Sequence, residues 1–301
     1  MPFPYRDKIK ELNDITRKSA GGAFISLPDG VTHFELGGTE DGEPVILVHG
    51  FSVPYFIYDP TFEFLSQSGF RVLRYDLFGR GFSDRPRARY NLDLFVKQLA
   101  DLRDALHFAS TGPSAGSRPV NLIGLSMGGP IASAFTRLHP QRVRKLVLID
   151  PCGAKPIDAT LSLMLARIPL VAETLFGLVG GASMVRSMAS DFFDPALVEH
   201  FQSRYRIQMQ YKGFMRAILS TIRNNMLGSF LEVYRQVGKT DKPVLLFWGR
   251  NDTTVPFEHS RDLRAVLPNA EFHAIENCGH IPHYEMPQEV NPILLEFLSK
   301  S

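Results

Sequence analysis

Cysteine, net charge and long apolar runs are all scarce in this sequence. Only two of its 301 residues are cysteines, Cys152 and Cys278, too few for a disulfide framework. We expect free thiols and, since the N-terminus lacks the apolar core of a signal peptide, a cytoplasmic protein. The net charge of +2, without runs of like charge, argues against a nucleic acid or an anionic membrane as partner. No stretch reaches the ~18 uninterrupted apolar residues of a membrane span, so none is predicted.

Short apolar runs alternate with longer amphipathic stretches along most of the chain. The runs are predicted to be strands that are apolar on both faces, as in a covered parallel sheet: residues 44–50, 70–76, 120–126, 143–150 and 242–249. Helices are predicted at 91–109, where Asn91 is a candidate N-cap, and at 128–139, 259–268 and 287–300. An antiparallel hairpin near residues 21–38 and a last strand at 270–277 complete the pattern. The predicted class is α/β, with a doubly wound, mostly parallel sheet.

The alternation stops between residues 152 and 241, where the sequence is helical and strongly apolar. A segment of this length predicts a helical cap inserted into a core domain formed by residues 1–151 and 242–301. Six of the nine methionines lie in it: Met164, Met184, Met188, Met209, Met215 and Met226. Two interpretations stay open. These residues, with phenylalanines such as Phe176 and Phe201, form the core of the cap itself, or they line an acyl or aromatic pocket.

The stretch VNLIGLSMGG, residues 120–129, ends a predicted strand on a serine. A strand-to-helix turn at Ser126 would lift the hydroxyl above the sheet, with the following helix N-terminus beneath it. Side chains at positions 124 and 128 would collide in so sharp a turn, which explains Gly124 and Gly128. The pattern G-x-S-x-G therefore predicts a nucleophilic serine.

A serine hydroxyl needs a base, and the base needs an orienting carboxylate. Asp252 follows the strand at 242–249 and His280 follows the last strand, so both are expected at the same sheet edge as Ser126. Asp150 also ends a strand and is the weaker candidate for the acid. We interpret His283 as a surface or supporting histidine, and we do not predict a metal site at Cys278, His280 and His283, because their spacing is not a common zinc pattern.

These motifs together resemble those of α/β-hydrolase fold serine hydrolases of the carboxylesterase or lipase type with a helical cap. Besides the serine motif, the chain has HGF at 49–51, DLFGRGFSDRP at 76–86, GRND at 249–252 and GH at 279–280. The resemblance implies that Ser126 is the nucleophile, His280 the general base and Asp252 its orienting acid. It also implies an oxyanion hole formed by the backbone N–H groups of Phe51 and Met127, and no cofactor or metal.

Four further positions receive structural interpretations. His49 is expected to brace the oxyanion loop, Asp76 and Ser83 to shape the loop after residues 70–76, and Trp248 to pack in the core.

The expected activity is hydrolysis of short- to medium-chain carboxylic esters through an acyl-enzyme, with a small-molecule ester as substrate. One alternative is a C–C bond, amide or lactone hydrolase that uses the same triad. HGFSVPYFIYDP, at 49–60, lacks the polar, glycine-rich oxyanion loop that we expect of C–C hydrolases. The other alternative is a ligand-sensing receptor with little turnover. Dehalogenases and epoxide hydrolases are disfavoured because they place Asp at the position of Ser126. The sequence does not predict an oligomeric state.

Overall fold

The computed structural model describes residues 10–109, 118–157, 168 and 181–300. Eight strands within these residues form one sheet. Their bounds are β1 Ala23–Leu27, β2 Gly30–Gly38, β3 Pro44–Val48, β4 Arg71–Tyr75, β5 Val120–Leu125, β6 Val143–Ile149, β7 Val244–Gly249 and β8 Glu271–Ile275.

The strand order is β1-β2-β4-β3-β5-β6-β7-β8. Strand β2 is antiparallel to both of its neighbours, and β3 to β8 are mutually parallel. The predicted α/β class and the hairpin at one edge are therefore confirmed. Because β3 to β8 are parallel, the loops that follow β3, β5, β7 and β8 all leave from one edge of the sheet.

Helices connect and cover the strands. Those of the core are α1 Asp14–Lys18, α2 Asp59–Gln67, α3 Leu92–Ala105, α4 Gly128–Leu138, α9 His259–Val266, α10 Pro282–Glu285 and α11 Pro287–Ser299. As predicted, Asn91 caps α3, because its side chain accepts a hydrogen bond of 3.1 Å from the Leu94 N–H. Helix α2 was not predicted. Among the described residues, no helix has the length and apolar character needed to cross a membrane.

Both faces of the sheet are buried. In β3, Val45 and Leu47 join one hydrophobic cluster and Ile46 and Val48 join the other, as the alternation of side chains along a strand requires. Helices α3, α4 and α9 pack on one face, whereas α2 and α11 pack on the opposite face. The predicted strands are apolar throughout for this reason.

All described elements between β6 and β7 are helical. They are α5 Gly181–Ser187, α6 Val198–Met209, α7 Phe214–Arg223 and α8 Leu231–Gly238, with short 3-10 turns at Met188–Asp191 and Pro195–Leu197. Helix α8 packs against α4 and α9, so it belongs to the layer of core helices. The cap bounds of 152 and 241 stay a prediction.

The apolar residues of the predicted cap pack into the main clusters of the protein. Met188, Met215, Phe201 and Phe214 are buried beside residues of the sheet and of the loop after β3. Met164 and Phe176 lie outside the described residues. These four side chains therefore belong to the buried core where the cap meets the sheet. An acyl or aromatic pocket under the cap stays a prediction.

Candidate active site

Ser126 lies in the turn between β5 and α4, in a left-handed backbone conformation with a φ of 51°. A left-handed conformation is uncommon for a residue with a side chain, and it persists only where the surroundings enforce it. The Ser126 N–H donates to Ile149 O at 2.9 Å, and the Ser126 carbonyl accepts from the N–H groups of Gly129 and Cys152. The serine is thus fixed at the carboxyl end of β5, as the sequence motif predicts.

Two glycines allow this turn. A Cβ atom at Gly124 would lie 2.4 Å from Gly128 O, and one at Gly128 would lie 2.1 Å from Val48 O. Both distances are far below van der Waals contact with backbone atoms, so no side chain fits at either position. Gly50 approaches from the neighbouring loop, where an added Cβ would lie 3.1 Å from the Ser126 Cβ. The loop after β3 therefore packs directly against the serine.

Asp252 and His280 form a buried pair at the same edge of the sheet. His280 Nδ1 and Asp252 Oδ2 are 2.7 Å apart. The other carboxylate oxygen of Asp252 accepts hydrogen bonds from the N–H groups of Thr254 and Val255, which fixes its orientation. Within the described residues, no hydrogen bond joins the Ser126 hydroxyl to His280. Such a contact is often long before a substrate binds.

The environment of His280 sets its protonation. Burial by itself would lower the pKa of His280, but the charge and the hydrogen bond of the Asp252 carboxylate outweigh burial, so its pKa is raised above the ordinary value. Asp252 therefore orients the ring, with Nδ1 donating, and stabilises its charged form. Both properties suit a general base.

Asp150, the alternative acid, lies beside this pair. It is fully buried, and its Oδ1 accepts a hydrogen bond of 2.8 Å from the Gly249 N–H. A carboxylate oxygen of Asp150, a carboxylate oxygen of Asp252 and a ring nitrogen of His280 all lie within 4.8 Å of one another. Burial, followed by the charge of Asp252, raises the pKa of Asp150 well above the ordinary value. Burial thus favours the protonated form of Asp150, whereas Asp252 makes the direct contact with His280.

The predicted oxyanion donors flank the serine. The N–H groups of Phe51 and Met127 donate no hydrogen bond to any described residue. Phe51 follows Gly50, where an added Cβ would lie 3.1 Å from the Ser126 Cβ, and Met127 directly follows Ser126. Two unused backbone donors beside a nucleophile can bind a developing negative charge.

His49 braces the start of this loop, as expected. Its Nε2 accepts a hydrogen bond from the Leu77 N–H at 2.9 Å, while Nδ1 donates to Gly50 O. Burial lowers the pKa of His49 to about 4, so the ring is neutral. It links the loops after β3 and β4.

Asp76 and Ser83 shape the loop after β4, also as expected. The Asp76 carboxylate accepts hydrogen bonds from the N–H groups of Tyr55 and Phe82 and contacts His33 Nδ1 at 2.7 Å. The Ser83 hydroxyl donates to Asp76 O. These residues are structural.

The remaining candidates are buried. His283 is not at the surface, since it packs against the Tyr58 ring and burial lowers its pKa to about 3. The Cys152 and Cys278 thiols are free, and burial raises the pKa of Cys152 to about 12. Trp248 lies in the core and donates to Val255 O. None of these residues has the exposure or the pKa of a reacting group.

Sequence reasoning did not identify several residues that hold the site. The backbone carbonyl of Asp191, between α5 and α6, accepts a hydrogen bond of 2.8 Å from the His280 N–H. Glu285 accepts from the N–H groups of Gly279 and Asp194, joining the histidine loop to the same segment. Arg80 and Gln208 hold the loop after β3. Of these four residues, only Arg80 lies in a motif named above, DLFGRGFSDRP. Asp191, Gln208 and Glu285 belong to no recognisable pattern, so the sequence did not indicate their contacts.

Comparison with known proteins agrees with this geometry. A sequence model of the family described as alpha/beta hydrolase fold matches residues 43–287. The chain is 28% identical to a 2-hydroxymuconate semialdehyde hydrolase of Pseudomonas putida, covering 87% of this chain and 89% of that protein. It is 27% identical to a 2-hydroxy-6-oxononadienedioate/2-hydroxy-6-oxononatrienedioate hydrolase of Cupriavidus pinatubonensis, covering 91% and 94%. A solved meta-cleavage product hydrolase of Pseudomonas fluorescens superposes with a TM-score of 0.73 at 26% identity, covering 92% and 97%.

Proposed function

Because the chain belongs to the α/β-hydrolase fold family, we propose that it is a serine hydrolase that cleaves carboxylic esters through an acyl-enzyme. Ser126 is the nucleophile, His280 the base and Asp252 the orienting acid. The observation that carries this proposal is the 2.7 Å contact between His280 Nδ1 and Asp252 Oδ2, at the sheet edge where Ser126 is held in its strained turn. The arrangement needs no cofactor for this chemistry.

The reaction has two halves. His280 Nε2 takes the proton of the Ser126 hydroxyl while Oγ attacks the ester carbonyl carbon. The resulting oxyanion accepts hydrogen bonds from the N–H groups of Phe51 and Met127. The intermediate collapses as His280 returns the proton to the leaving alcohol. Water then attacks the acyl-enzyme by the same steps, which releases the acid and restores Ser126.

Neutral esters fit the charges around the oxyanion loop. The guanidinium groups of Arg80, Arg85 and Arg216 all donate to backbone carbonyls or hydroxyls of the protein itself. Arg204 pairs with Asp59. These hydrogen bonds and this ion pair hold the four arginines to the protein itself, which favours a substrate without a carboxylate. The proposed substrates are short- to medium-chain esters whose acyl group carries no charge.

A second candidate is cleavage of a carbon–carbon bond by the same triad. The names of the relatives support it, since they act on 2-hydroxymuconate semialdehyde and on dienedioates. Such substrates carry carboxylates, whereas the four arginines donate to groups of the protein itself.

The two candidates are separated by one comparison of substrates. The purified protein is assayed with p-nitrophenyl esters from acetyl to palmitoyl, with a lactone and an amide, and with 2-hydroxymuconate semialdehyde. Ser126→Ala is the control. We expect ester turnover that requires Ser126. Faster turnover of the semialdehyde would favour the second candidate. Rapid acylation of Ser126 without turnover would instead indicate a ligand-sensing receptor.

A further inference from the structure

The loop after β3, residues 49–54, carries one of the two proposed oxyanion donors, the Phe51 N–H. Two carbonyl groups of this loop are held from outside it. Arg80 Nε donates to Phe51 O at 2.7 Å, and Gln208 Nε2 donates to Ser52 O at 2.8 Å. The Phe51 N–H shares its rigid peptide plane with the Gly50 carbonyl, which accepts a hydrogen bond from His49 Nδ1. Holding the next two carbonyls limits how this plane can rotate about the Phe51 backbone, and so helps to set the direction of the Phe51 N–H.

Arg80 is an unusual residue for a core. Its side chain is fully buried, and it forms no ion pair with a carboxylate of the described residues. Its guanidinium donates to Phe51 O, Phe78 O and the Thr221 hydroxyl, and it lies over the Phe51 ring at 5.6 Å. A buried cation without a paired anion is costly. Its hydrogen bonds tie the loop after β3 to the loop after β4 and to α7, which points to a positioning role.

The cap supplies the partners that complete this arrangement. Thr221 on α7 accepts the hydrogen bond of 2.9 Å from Arg80 Nη2 and donates to Ala217 O. Gln208 on α6 also accepts a hydrogen bond from the Gly81 N–H at 2.9 Å. Helices α6 and α7 thus connect the oxyanion loop with the loop that carries Arg80. All three side chains are buried, so these hydrogen bonds are shielded from water.

We propose that Arg80 is the positioning residue of the oxyanion hole, and that Gln208 and Thr221 of the cap hold Arg80 and the oxyanion loop in their active arrangement. The inference rests on the proposed function, because it assigns the Phe51 N–H to the oxyanion. The cap then acts on the chemical step as well as on substrate binding.

Thr221→Val tests this with little change in shape. Thr136 on α4 offers a matched control, since it is equally buried and its hydroxyl donates to the carbonyl four residues earlier, at Ala132, without touching Arg80. We expect Thr221→Val to lower kcat by about tenfold, the scale for loss of a hydrogen bond to a charged group, with KM nearly unchanged. Thr136→Val should leave kcat unchanged.

Arg80→Met should lower kcat further, by about 100-fold, because the hole is displaced, and Arg80→Lys should recover part of the loss. A second readout separates positioning from general damage. A trifluoromethyl ketone forms an oxyanion adduct on the serine, so its affinity should fall in proportion to kcat, whereas the affinity of a neutral product acid should not. Thermal melting identifies variants that do not fold. If Arg80→Met does not fold, the comparison of Thr221→Val with Thr136→Val tests the proposal by itself.

Equal behaviour of Thr221→Val and Thr136→Val in kcat and ketone affinity would overturn the inference. So would a loss that appears only in KM. Failure of the proposed function looks different, because ester turnover would then survive Ser126→Ala in the otherwise unchanged protein.

Discussion

The contact between Asp252 and His280 permits a quantitative prediction for Asp252→Asn. The ring nitrogen and the carboxylate oxygen are 2.7 Å apart and buried. With an effective dielectric constant of about 20, a unit charge at this distance stabilises the imidazolium by about 6 kcal/mol. Each tenfold change in rate corresponds to about 1.4 kcal/mol. The substitution should therefore lower kcat by about 10⁴-fold, the scale known for the loss of a triad carboxylate.

Asp150→Asn is the matched control. Burial raises the pKa of Asp150 and so favours its uncharged form, which an amide resembles; the amide oxygen can still accept the hydrogen bond from the Gly249 N–H. We expect kcat to change by less than about tenfold, the net value of one hydrogen bond. Steady-state kcat is measured on one p-nitrophenyl ester above the pKa of His280, and circular dichroism verifies folding.

Proton NMR adds an independent measurement. The His280 Nδ1 proton, shared with a carboxylate, should give a strongly downfield resonance that Asp150→Asn retains and Asp252→Asn loses. A larger loss of kcat in Asp150→Asn than in Asp252→Asn would refute the assignment. It would place the acid at the end of β6 instead of β7.

Four further predictions concern the nucleophile, the base, the turn and the substrate. Ser126→Ala should abolish ester turnover and stoichiometric labelling by an organophosphonate, as intact-protein mass spectrometry would show; labelling that persists would exclude Ser126. His280 must be neutral to act as a base, and its pKa is raised, so kcat/KM should increase with pH through a midpoint above about 6.5. If Asp252 raises this pKa, the midpoint should be lower in Asp252→Asn, and an unchanged midpoint would contradict that. Gly128→Ala should reduce the free energy of unfolding by about 1–3 kcal/mol, measured in urea, because its Cβ would meet Val48 O; Gly21→Ala, where no atom lies within 4 Å, is the control, and equal effects would be inconsistent with the clash. For acyl chains, kcat/KM should rise by up to about fourfold per methylene from acetyl and then fall, since each buried methylene contributes about 0.8 kcal/mol; a flat profile would argue against an acyl pocket.

The sequence predicted the local features of this protein well. The strands were apparent as buried apolar runs, because a parallel sheet covered on both faces tolerates few polar residues. Asn91 marked the start of α3, and GLSMG marked the turn at Ser126, where only glycine fits at positions 124 and 128. Asp252 and His280 could be selected because each follows a strand whose carboxyl end lies at the same edge.

The tertiary structure decided how residues distant in the chain interact. Asp150 and Asp252 each follow a strand, and only their neighbours in space raise the pKa of Asp150 and make Asp252 the partner of His280. Similarly, Gly81 and Gln208 are 127 positions apart in the sequence, and the Gln208 side chain contacts two loops. Side-chain periodicity and turn chemistry are local and therefore visible in the sequence. Protonation and long-range hydrogen bonds depend on burial and on charges brought together by the fold, which no short stretch of sequence records.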